Sequence, residues 1–301
     1  MRLYIACGIT LVVILLVIAL LVWQFEMDQF GLDEDGTIQI PRRIWTYWDD
    51  DEIPPLVQRC IDSWRRFNPA YQITVLKKET LATYLDVDLR DLRHANENPA
   101  KFSDFVRLHV LSRHGGIWMD ASVICQAPLD WIFDVQEETG VEFVGYRTRK
   151  HTLPEYEGVC DVLETSVFAC VPGAAFVTAW RDELMKINDY ADVSDYIAAV
   201  RASGVDTQNA ILDPYWVVYI AQIATLQRNR TFNETMYLQE ACDTIFAYQC
   251  GHGVPIDHDA QLKSLHDGDY RDQPLIKLTN WERGKIQSSY KDIGAFFFEK
   301  N

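Results

Sequence analysis

The sequence predicts an α/β fold, a mainly parallel sheet with helices packed on it, preceded by one apolar N-terminal segment. Three observations predict it. Arg43–Trp48 (RIWTYW) is a strand pattern rich in aromatic and β-branched residues. After the loop Asp49–Pro55, the positions Val57, Cys60, Ile61, Trp64 and Phe67 follow helical spacing, Asn68-Pro69 stops the helix, and Tyr71–Leu76 is strand-like again. Such a βαβ unit implies parallel pairing. The third observation is the alternation continuing through Lys101–Gln126, which reads as helix, glycine turn and strand.

Taken in order, Leu3–Val22 is apolar apart from Tyr4, Gly8 and Thr10, and roughly twenty such residues cross a bilayer. Arg2 precedes the run; Glu26, Asp28, Asp33, Glu34 and Asp35 follow it. That asymmetry predicts a cytoplasmic N-terminus with the body on the far side. A cleaved signal peptide is the rival, but its apolar region is normally shorter and ends in small residues, whereas this run continues into Trp23 and Phe25. The expected organisation is a stub and signal anchor over residues 1–25, an acidic stem over 26–38 and a catalytic body over 39–301. Within the body, the helix from Phe102 to Leu111 is apolar nearly all round and therefore buried. His114-Gly115-Gly116 ends it and Ile117–Met119 is a short buried strand. Val141–Gly145 and Ser166–Val171 are later strands, Pro172-Gly173 turns into a helix near Ala174, and Asp213–Leu226 is a mostly buried helix. The C-terminal third reads as loop-rich.

The formal charge of −16 over 301 residues argues against nucleic acid, which needs a basic footprint. It leaves room for an anionic small molecule if local arginines or a metal offset the field. Cys7 lies in the apolar segment. The other six cysteines, 60, 125, 160, 170, 242 and 250, allow fifteen disulfide pairings and equally suit buried thiols. No C-x-x-C spacing points to zinc. Asn229-Arg-Thr231 and Asn233-Glu-Thr235 are glycosylation sequons, meaningful if the body is lumenal.

The chemistry concentrates in FSDFVRLHVLSRHGGIWMDASV, residues 102–123. Asp104 and Arg107 share one helical stripe; on a buried helix such charges must pair or face a ligand. A bracing ion pair and a ligand clamp are both open from spacing alone. Asp120 follows the strand, where α/β sheets present ligand-binding groups. This stretch resembles the S-D-x-x-R…Y-G-G-[IV]-[YW]-x-D-[TA]-[DST] signature of DXD-type sugar transferases, the glycosyltransferase family 32-like enzymes and the capsular polysaccharide synthesis proteins. IPRRIWTYW (40–48) resembles their opening, ETSVFACVPG (164–173) a strand-plus-turn segment and PLIKLT (274–279) their C-terminal K-L-T.

The resemblance implies a GT-A-like, Rossmann-type α/β/α sandwich. It implies an enzyme, here carried by the membrane anchor read from the apolar run, that transfers a sugar, with retention, from a nucleotide-sugar donor (by family habit a UDP-sugar) to a glycan or glycoconjugate acceptor. Such an enzyme would serve glycan or polysaccharide biosynthesis as a type II protein of the Golgi or ER, with a lumenal body. Trp48 would stack on the base; Asp104 and Arg107 would hold donor hydroxyls; Asp120 matches the first acid of D-x-D. Ser122 replaces the second acid and is a poor ligand for the Mn²⁺ or Mg²⁺ these enzymes use. Asp120, His266, Asp267 and Asp269 are the remaining candidates for the metal, the last three competing with an ordinary polar loop. Lys277 and Thr279 would reach the diphosphate, or form a strand edge. Glu164 would orient the acceptor or act as its base, or be an exposed strand start. Arg107 is expected to lower the pKa of Asp104, which argues against a glycoside hydrolase built on Asp104 and Asp120. A non-catalytic, membrane-tethered sugar-binding or scaffold protein is the alternative, supported by Ser122. Two substitutions test the site: Asp120→Ala is expected to abolish activity with little loss of stability, and Ser122→Asp to tighten metal binding.

Overall fold

The structure, a computed structural model, describes residues 38–210, 213–250 and 257–297. The expected anchor over residues 1–25 and all but the last residue of the expected acidic stem lie outside them. Among the described residues no helix is long and apolar enough to cross a membrane.

Strand β1 (Arg43–Tyr47), helix α1 (Pro55–Phe67) and strand β2 (Gln72–Leu76) form the expected βαβ unit, β1 and β2 pairing in parallel. Helix α1 buries Leu56, Val57, Cys60, Ile61 and Trp64, its helically spaced face. Helix α2 (Pro99–His114) starts where the Asn98 side chain accepts from the Lys101 amide and Pro99 occupies the first turn. It ends at Gly115, with φ of 59°. Gly116 follows at φ 96°, and a Cβ there would meet the Arg43 carbonyl oxygen at 2.7 Å. The glycine pair thus lets strand β3 (Gly116–Met119) lie beside β1.

Next come β4 (Val123–Cys125), α3 (Trp131–Thr139), β5 (Phe143–Arg147), β6 (Val167–Cys170), α4 (Ala175–Met185), α5 (Val193–Ala202), α6 (Val217–Arg228) and β7 (Met236–Glu240). Six strands form one sheet in the order β2-β1-β3-β6-β5-β7. Only β6 among them runs antiparallel to its neighbours, so the sheet is mixed with a parallel majority. From β1 the chain steps one way to β2, then back across β1 to β3. With right-handed crossovers this places α1 and α2 on opposite faces. The strand order therefore reverses at β1 and β3, and the crevice beyond their carboxyl ends is where such sheets bind ligands.

The C-terminal third is more regular than its sequence implies. It contains the short α7 (Ala247–Cys250), α8 (His258–Asp267), β8 (Leu275–Lys277) and α9 (Asn280–Ser289). Strand β8 pairs antiparallel with β4, Val123 opposite Lys277. A satellite apolar cluster, including Leu56, Cys60, Ile124, Leu262, Ile276 and Ile286, fastens this segment to α1. Both cysteine roles occur: Cys242 and Cys250 form a disulfide, while Cys60, Cys125, Cys160 and Cys170 are buried free thiols.

Candidate active site

Asp120 stands at the carboxyl end of β3, its amide bonded to the Ser166 carbonyl at 2.8 Å. One helical stripe of α2 brings Asp104 and Arg107 against it. The Arg107 guanidinium, 4% exposed, donates through Nη1 to Asp104 Oδ1 at 2.8 Å and through Nη2 to Asp120 Oδ1 at 2.9 Å. Trp118 Nε1 donates to the same Oδ1 at 2.9 Å. The other oxygen, Oδ2, accepts from Lys277 Nζ at 2.7 Å. Lys277 also donates to Ser122 Oγ at 2.9 Å, and Ser122 donates on to the Leu278 carbonyl at 2.8 Å. The β4–β8 ladder causes this meeting, since it carries Lys277 to Asp120 across 157 positions of sequence.

These groups open on a cleft of about 1290 Å³ whose lining also includes Trp48, Glu164, Tyr215, Tyr219, Thr279 and Arg283. The two acids diverge there. Burial drives the Asp104 carboxyl up to about 7, against the pull of Arg107 and with the negative Asp120 adding to the rise. At Asp120 burial pushes the same way, but the charges of Lys277 and Arg107 and the hydrogen bonds from Lys277 and Trp118 outweigh it and hold it at about 2. The expectation that Arg107 lowers the Asp104 pKa is therefore corrected: desolvation outweighs the neighbouring charge. Glu164 is not an exposed strand start; it is 8% exposed, accepts from the Ser166 amide at 3.0 Å and from the Tyr219 hydroxyl at 3.4 Å.

A sequence model of the family described as "Capsular polysaccharide synthesis protein" matches residues 24–200. That span exceeds half of the chain. The chain belongs to the capsular polysaccharide synthesis protein family. Its match contains Trp48, Asp104, Arg107, Asp120, Ser122 and Glu164; Lys277 and Thr279 lie beyond it. A curated relative, "Subversion of eukaryotic traffic protein A" of Legionella pneumophila subsp. pneumophila, is 27% identical over 133 residues, covering 35% of this chain and 21% of that protein. The chain thus spans about a fifth of that relative's length. Among solved structures, it is similar to the PaToxG glycosyltransferase (16% identity, TM-score 0.35, 84% of this chain and 86% of the other). It is also similar to a glycosyltransferase involved in glycosylation of the major capsid of PBCV-1 (9%, 0.41, 81% and 98%) and to the galactosyltransferase LgtC (11%, 0.38, 79% and 87%).

This member of the capsular polysaccharide synthesis family thus gathers Asp104, Arg107, Asp120, Ser122, Lys277, Trp48, Glu164 and Thr279 around one cleft. Trp48 is half-buried there, 5.7 Å from the Arg283 guanidinium, whereas Trp45 is fully buried and donates to the Gly115 carbonyl. Thr279 caps α9 in a reciprocal box with Glu282. Three predicted residues are elsewhere. His266 packs its ring on Tyr290 and Phe296, Asp267 pairs with Lys263, and Asp269 accepts from Ser264. None of them lines the cleft; the stretch read as a polar loop is the end of helix α8. Sequence reasoning missed Arg283 and Tyr219. The pattern Thr279-x-x-Glu282 is a helix-start signature, and it would have placed Arg283 on the first turn after K-L-T.

The donor set does not fit a divalent metal. A hard cation needs oxygen ligands that do not already face a positive charge, yet Asp120 Oδ2 and Ser122 Oγ both accept from the Lys277 ammonium and Asp120 Oδ1 accepts from Arg107 and Trp118. Among the described residues, no cluster of three or more His, Cys, Asp or Glu is arranged to hold a metal.

Proposed function

We propose that the chain is a GT-A-type glycosyltransferase, anchored by residues 1–25 with its body in the lumen of the Golgi or ER. It moves a sugar from a UDP-sugar to a glycan or glycoconjugate acceptor with retention of configuration. The observation that carries the reading is the convergence of Asp104, Arg107 and Asp120 at the strand-order reversal, within a cleft able to take a sugar nucleotide.

Each group has work suited to its chemistry. Trp48, at the end of β1, offers a ring face to the base. A carboxylate accepts two hydroxyl protons and a guanidinium presents a fixed donor fork, so Asp104 and Arg107 orient the donor sugar. Negative charge grows on the leaving diphosphate as the glycosidic bond breaks, and cations already in place stabilise that change more than the ground state. Lys277 and Arg283 are those cations. Glu164, held by Tyr219, faces the acceptor side and orients or deprotonates its hydroxyl.

The test is release of nucleoside diphosphate from a panel of sugar nucleotides, with product anomers assigned by NMR. We expect slow release to water and faster release with acceptor. Asp120→Asn is expected to lower kcat/KM by about 100-fold or more. Asp120→Ala leaves the buried Arg107 and the part-buried Lys277 without a shared partner, so it is expected to destabilise the fold as well, contrary to the expectation from sequence. No release and no binding of any sugar nucleotide would favour the non-catalytic scaffold.

A further inference from the structure

We infer that Lys277 stands where a D-x-D transferase holds its divalent ion, so that this protein binds the donor diphosphate through side-chain cations alone. The inference rests on the transferase reading above and specifies how that site handles phosphate.

Two independent observations carry it. First, the Lys277 ammonium bridges Asp120 Oδ2 at 2.7 Å and Ser122 Oγ at 2.9 Å. These are the two D-x-D positions, and a cation already lies between them. Serine at position 122 suits that arrangement: its hydroxyl accepts from the ammonium while donating to the Leu278 carbonyl. A second acid there would be needed by a metal, not by a lysine. Second, Arg283 joins Lys277 in the lining of the same cleft, which also holds Asp49, Asp50, Asp104, Asp120 and Glu164. No ion pair of Arg283 with an acid is among the salt bridges described, and its guanidinium stands over the Trp48 ring at 5.7 Å, so it is a second side-chain cation placed to meet a diphosphate in an otherwise acidic protein. Lysine binds phosphate as a point charge, and with three donors it can keep Asp120 while turning one N–H to a phosphate oxygen.

The same geometry revises the expectation for Ser122→Asp. Position 122 is 1% exposed and 2.9 Å from Lys277, so a new carboxylate there pairs with the lysine rather than making a metal site. Conversion needs both changes, Ser122→Asp with Lys277→Ala.

The experiment measures binding of UDP, GDP and CDP to the full-length chain in detergent by calorimetry, in excess EDTA and again with Mn²⁺. For wild type we expect a Kd for the preferred nucleotide that agrees within about twofold between the two conditions. Loss of a charge-assisted contact makes Lys277→Met weaker by about 10- to 100-fold. Lys277→Arg is expected to retain most of the affinity, and circular dichroism checks that both variants fold. The double variant should bind only with Mn²⁺. Wild-type binding abolished by EDTA and restored by Mn²⁺, or unchanged affinity in Lys277→Met, overturns the role of Lys277 and leaves the transferase reading standing. Failure to bind any nucleotide in either condition overturns the transferase reading itself.

Discussion

At the scale of single residues, two carboxyl groups behave in opposite ways within reach of one guanidinium. Asp104 titrates near 7 because burial dominates; Asp120 stays near 2 because Lys277 and Arg107 overcome its burial. The consequences for stability have opposite signs. Asp104 in the unfolded chain releases its proton near its ordinary value of 3.8, and the folded chain keeps it until about 7. The folded state therefore binds more protons across that window, and stability falls as pH rises through it, by about 1.4 kcal/mol per pH unit for this group alone. Asp120 contributes stability that is present above its ordinary value and is lost as pH falls towards 2. We predict that Asp104→Asn flattens the decline in Tm between about pH 4 and 7, while activity is lost and the wild-type kcat/KM rises as Asp104 ionises. An unchanged pH slope of Tm would show that Asp104 is not the titrating group. The sequence made the three residues visible through their spacing, and a resemblance gave them roles. It could not weigh desolvation against a neighbouring charge, which is why the sign at Asp104 came out reversed.

At the scale of elements, the α2–Gly115-Gly116–β3 segment makes the site possible. Its register against β1 requires a residue without Cβ at 116, where φ is 96° and the Arg43 carbonyl lies in the way. Gly116→Ala is expected to cost at least about 2 kcal/mol, from backbone strain plus the forced shift of β1. Denaturant titration checks this, and a loss below about 0.5 kcal/mol would mean that the turn relaxes freely. This segment was legible because helix periodicity, a glycine stop and a short apolar strand adjoin within one run. For Lys277 the strand-edge reading and the cleft reading both hold: β8 has three residues, and its identity as a strand comes from pairing with β4, far away in sequence. Helix α8 was passed over although Asp257 caps its start and Gly268, at φ 91°, ends it. Its sparse apolar positions hide the period, so that from sequence His266 and Asp267 read either as metal candidates or as an ordinary polar loop.

At the scale of the whole molecule, the proposed lumenal placement has a measurable consequence. Both sequons lie in the α6–β7 connection, but in different settings. Asn229 is exposed, and among the hydrogen bonds described its side chain bonds only to Thr231, within its own turn. Asn233 is half-buried and donates Nδ2 to the Gly158 carbonyl at 2.6 Å. For chain made in a secretory host, we predict one glycan removed by an endoglycosidase. Asn229→Gln should abolish the mobility shift and Asn233→Gln should not; no shift at all would place the body outside the lumen. The Cys242–Cys250 disulfide also suits an oxidising compartment.

The late position of Lys277 carries a consequence for biosynthesis. A ribosome has delivered all six strands of the main sheet once Glu240 is out, yet the residue that completes the Asp120 constellation emerges only afterwards, on β8. A prematurely terminated product can thus own the central scaffold and still lack the means to capture a substrate. Under the proposed function, a nascent chain that has not yet made β8 is expected to be inert towards a nucleotide donor.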